Sequence, residues 1–74
     1  MEERILEILK SVKPEAEFEG KEDIVTGGTL KSIDLMFLIS ELEDEFDVDI
    51  PVENVVTENF DSVAAIARMI ETLQ

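Results

Sequence analysis

Apolar residues recur every three or four positions in three separate stretches of this sequence. That spacing puts them on one side of a helix and excludes a half-buried strand. The chain must therefore bury its apolar surface by packing helices against one another. It does so without staples, because its 74 residues include no cysteine for a disulfide or a thiolate metal site. A core of that size has little room for a deep substrate pocket.

Residues 2–12 carry Ile5, Ile8, Leu9 and Val12 at helical spacing, with Leu6 at the flank. Glu2 and Glu3 suit the positive end of that helix, Lys10 and Lys13 its negative end, and Pro14 stops it. Residues 13–31 have no sustained period and read as a long connection pinned by Phe18, Ile24, Val25 and Leu30. Residues 32–46 predict the best helix, with Leu35, Leu38, Ile39, Leu42 and Phe46 as its core stripe. Pro51 opens a short helix over 52–56, held by Val55 and Val56, and Asp61 is placed to cap a last helix over 62–73. That last helix packs through Val63, Ile66, Met69, Ile70 and Leu73, with Ala64, Ala65 and Ala67 allowing close approach. The expected fold is all-α: a small four-helix bundle of three main helices and one short one, forming a single domain over 1–74.

Composition narrows the function. Nineteen acids against six bases leave a net charge of −13, which repels phosphate backbones and anionic membranes and favours basic protein surfaces. With no histidine, tryptophan or tyrosine, the chain lacks the commonest general base and the usual stacking platforms for bases. No apolar run is long enough to span a membrane, and the start Met1-Glu2-Glu3 is not the basic start of a signal peptide. A free-standing cytoplasmic monomer is expected, with no nucleic-acid partner and no membrane insertion. Asp44, Asp47, Asp49 and Glu53 do not make a calcium loop, since Pro51 interrupts them and the central glycine is missing. No metal site is expected.

One junction stands out. Gly27-Gly28-Thr29-Leu30-Lys31 is a flexible approach to Ser32, which opens the long acidic helix. Read alone, Ser32 is a good N-cap, and local chemistry favours that bland role. A hydroxyl there is also exposed, and a phosphate ester on it lies near free backbone N–H groups. The face opposite the core stripe holds Ile33 and Phe37 with Met36 beside them, ringed by acids including Asp34 and Glu41.

The order of elements, with Leu30-Lys31-Ser32-Ile33-Asp34, the run Leu38 to Phe46, Val48-Asp49-Ile50-Pro51 and Asn59 to Ile66, resembles the acyl carrier protein family over nearly the whole chain. The resemblance implies a non-catalytic carrier. Ser32 would bear 4′-phosphopantetheine, donated from coenzyme A by a phosphopantetheinyl transferase, and the arm's thiol would hold an acyl or aminoacyl group as a thioester. Fatty-acid synthesis, or specialised lipid or secondary-metabolite synthesis, is the implied setting. Basic surfaces of acyl-loading and acyl-using enzymes would meet Asp34, Glu41, Glu43 and Asp44, with Ile33, Met36 and Phe37 as apolar anchors. An apolar acyl chain would find shelter between Leu38, Leu42, Ile66 and Ile70. Lys31 departs from the aspartate usual in that family before the serine. The competing reading is an unmodified acidic interaction module that docks a basic partner through Ile33, Met36 and Phe37. An enzyme is the third class, and no catalytic set is assembled for it.

Overall fold

Four α-helices and one 3₁₀ turn enclose one core in the computed structural model, which describes residues 1–74. Helix α1 spans Glu2–Val12, with Glu2 and Glu3 in its first turn and Lys10 in its last, charges of the sign the helix dipole favours. It buries Ile5, Ile8 and Leu9. Helix α2 spans Ser32–Phe46 and buries Leu38 and Leu42, while Leu35, Ile39 and Phe46 pack on the core from its margin. Asp47 ends it in the left-handed conformation at φ 53°, its N–H bonded to the Glu43 carbonyl. Aspartate is among the few non-glycine residues that tolerate that geometry.

The chain then differs from expectation. The short helix foreseen over 52–56 is a 3₁₀ turn at Val52–Asn54, and a separate one-turn helix, α3, follows at Thr57–Phe60. Phe60 drives this second turn by sealing fully into the core. Helix α4 spans Val63–Leu73 and buries Ala65, Ile66, Ala67, Met69 and Ile70. Its N-cap is Ser62, whose Oγ accepts from the Ala65 N–H at 3.0 Å, and not Asp61, whose carboxylate is used elsewhere.

α1 packs against both α2 and α4, and α3 against α4. Ion pairs join α1 and α2 at opposite ends: Arg4 to Glu45 at 2.8 Å, and Lys13 to Asp34 at 3.1 Å. The two helices therefore run antiparallel. Solvent-screened pairs of this kind fix relative placement more than they add stability.

The long connection is fastened rather than loose. Asp61 accepts the N–H of Val25 at 2.8 Å, the N–H of Thr26 at 2.9 Å and the Thr26 hydroxyl at 3.2 Å. Its backbone carbonyl also takes the Ile24 N–H at 3.0 Å. Phe18, Ile24 and Leu30 are buried, as their spacing predicts. No charged side chain is buried, and no buried side-chain nitrogen or oxygen lacks a partner.

The shelter expected for an acyl chain is not open. Leu38, Leu42, Ile66 and Ile70 are each 0% exposed within one packed cluster. The surface hollows are lined by other residues, so no opening leads between these four. Side chains at native packing density leave no such space without rearrangement.

Candidate functional site

Three constraints deliver the chain to Ser32. The Asp61 latch holds Val25 and Thr26, a tight turn follows, and Leu30 plugs into the core with its N–H on the Ile24 carbonyl at 2.9 Å. Both glycines of the turn are needed. Gly28 sits at φ +85°, and a Cβ on Gly27 would lie 2.6 Å from the Asp23 carbonyl oxygen, closer than real carbons come.

The helix begins at Ser32, as its apolar spacing predicts, and the cap falls on the residue before the serine. Lys31 is the N-cap, in extended conformation, and Ser32 is the first helical residue. Lysine has no acceptor with which to cap the N–H groups ahead of it. The opposite half of a capping box is present, because the Asp34 carboxylate accepts the Lys31 N–H at 3.0 Å. The same oxygen takes the Lys13 ammonium at 3.1 Å. The Lys31 N–H, then the Lys13 side chain, hold the Asp34 carboxyl below the usual aspartate range. Ser32 is exposed, and the bonds that build the junction pass through Lys31, Asp34 and Lys13 without using its hydroxyl. Its Oγ is presented to solvent beside the unsatisfied N–H groups of a helix start.

The residues singled out around the serine fall into two sets. Ile33, Met36 and Phe37 are 63%, 69% and 61% exposed, so the apolar patch lies open on the first turns of α2. Glu41 and Asp44 are exposed and make no hydrogen bond or ion pair within the chain. Asp34 and Glu43 have internal work: Asp34 as described, and Glu43 accepting the Ile50 N–H at 2.9 Å, which ties the chain after α2 back to the helix. Val52 is 83% exposed on the 3₁₀ turn, a large apolar group that helical spacing could not reveal because the turn is too short to have a face. The structure gathers no group of acids that could hold a metal ion.

Can these residues accept a phosphodiester-linked arm? A free, exposed hydroxyl at the first position of a fifteen-residue helix, with a lysine beside it that makes no ion pair, suits an added negative charge. The model of the phosphopantetheine attachment site family matches residues 3–70. The chain belongs to that family. It is an acyl/peptidyl carrier protein domain, the kind of domain to which 4′-phosphopantetheine is covalently attached. Such carrier domains are generally non-catalytic and work with a phosphopantetheinyl transferase and acyl-handling enzymes. Neither the curated proteins nor the solved structures contain a match to it. No helix of the carrier is long and apolar enough to cross a membrane.

Proposed function

We propose that residues 1–74 form one carrier domain and that Ser32 is its attachment residue. The observation that carries this reading is the free Ser32 hydroxyl at the head of α2, inside the span matched by the carrier family. In the transfer, the Ser32 oxygen bonds to the pantetheine-side phosphorus of coenzyme A. The P–O bond to the nucleotide half breaks, that half leaves with the electron pair, and the hydroxyl proton passes to a base of the transferase. Once attached, the arm supplies a terminal thiol on which an acyl group rides as a thioester.

The chain's own residues supply placement. The Asp61 latch and Leu30 fix the approach, and Asp34 fixes the first turn of α2. Ile33, Met36 and Phe37 offer partners an apolar contact beside the serine, while Glu41 and Asp44 draw basic surfaces to the same helix. Of the acids first read as docking groups, Asp34 and Glu43 act through the fold they hold. The carrier serves fatty-acid or specialised lipid and secondary-metabolite synthesis, as a cytoplasmic monomer.

Intact mass after incubation with coenzyme A and a broad-specificity phosphopantetheinyl transferase tests the reading. Wild type gains one phosphopantetheine, and Ser32→Ala gains none while folding normally. A wild-type chain that gains nothing, yet binds a basic partner equally well with Ser32→Ala, would instead be the unmodified interaction module.

A further inference from the structure

Both ends of α2 carry charge of the sign that a helix disfavours. At its start, Lys31 sits where the dipole is positive and cannot cap. Serine, threonine, aspartate or asparagine at that position would satisfy a backbone N–H that lysine leaves free. Lys31 also makes no ion pair: the acid nearest in the helix, Asp34, is taken by the Lys31 N–H and by Lys13. At the other end, the last turn has no base and holds Glu43, Asp44 and Glu45 before Phe46, with Glu41 just ahead of it. Glu43 and Glu45 are engaged within the chain, whereas Glu41 and Asp44 are not. Local rules broken at an exposed site by charges that make no ion pair within the chain point to an external counterpart.

Resting on the reading that Ser32 is modified, we infer that Lys31 is a specificity determinant for the phosphopantetheinyl transferase, whose docking surface carries a carboxylate opposite it. That surface is two-signed. Cations face Glu41 and Asp44, about 15–20 Å further along α2 at 1.5 Å per residue, and an apolar contact receives the Ile33, Met36, Phe37 patch between them. The transferase is the partner in question because it alone must bring its reacting atoms to the Ser32 oxygen itself, one residue from Lys31. An acid at one end and bases at the other let α2 dock in one direction only, and like charges penalise the reverse.

The test is the rate of phosphopantetheine transfer by the transferase of the same organism, with the concentrations of carrier and coenzyme A varied separately. Lys31→Asp should lower kcat/KM for the carrier by about tenfold, Lys31→Asn by about threefold, and Lys31→Arg should retain it. The deficit of Lys31→Asn should shrink as salt is raised. Its melting temperature should rise, because asparagine caps the helix. Slower transfer by a more stable carrier is a pairing that a merely structural role for Lys31 does not produce. Wild-type kcat/KM in Lys31→Asn and Lys31→Asp overturns the inference, as does a loss confined to the KM of coenzyme A, which would place Lys31 against the donor's phosphates. If wild type itself gains no phosphopantetheine, the assignment of Ser32 falls first and this inference with it.

Discussion

At Asp61 a single carboxylate does what the sequence has no way to advertise. Its partners, Val25 and Thr26, lie more than thirty positions away, and no periodicity connects residues in two different loops. Read locally, Asp61 and Ser62 are equally good helix caps. The structure divides the roles because Asp61 finds two backbone N–H groups and a hydroxyl, leaving the cap to Ser62. Burial pushes the Asp61 carboxyl up, but the Thr26 N–H, the Val25 N–H and the Thr26 hydroxyl outweigh it and hold the group below the usual range. A carboxyl depressed on folding contributes stability that is full above its unfolded value, about 3.9, and is lost as pH falls through its folded value. Asp61→Ala should therefore cost about 1–3 kcal/mol near neutral pH, chiefly through the N–H groups it strands. The gap from wild type should narrow as pH drops below about 4, as followed by urea denaturation at a series of pH values.

Elements were legible in proportion to their length. α1, α2 and α4 announce themselves because several turns repeat the same apolar spacing, a local property. α3 has four residues, one turn and no period, so only its buried Phe60 explains it. α2 begins where its apolar spacing places it, but its cap is Lys31 and not the serine that capping chemistry favours, because the backbone turns helical directly after Lys31. The candidate serine was legible, as was the exposed patch after it. The division of the acids into free and engaged was not, since it depends on contacts such as Glu43 with Ile50. The turn before α2 gives a test at this scale. Gly27→Ala drives a methyl to 2.6 Å from the Asp23 carbonyl, so the turn must open. A loss of about 1–3 kcal/mol is expected, with slower modification of Ser32 by mass spectrometry. Unchanged thermal stability would show that the turn yields freely.

For the molecule as a whole, charge works against compactness. A net charge of −13 on 74 residues repels itself, and the three ion pairs offset little of it. Added sodium chloride should accordingly raise the melting temperature across the range from about 0.01 to 0.5 M, where the Debye length shrinks from about 30 Å to a few ångströms. A falling melting temperature would mean that the ion pairs outweigh the repulsion. The Asp61 latch has another effect at this scale. It divides the connection between α1 and α2 into two spans with different freedoms. The span from Pro14 to Asp23 meets the core only through Ala16 and Phe18 and is mostly surface chain, so its length is free to drift over evolutionary time. The span from Gly27 to Lys31 is strung between the latch and the head of α2, and one residue more or fewer would swing the serine off its mark. Relatives of this chain should therefore differ in length before the latch and hold it constant after.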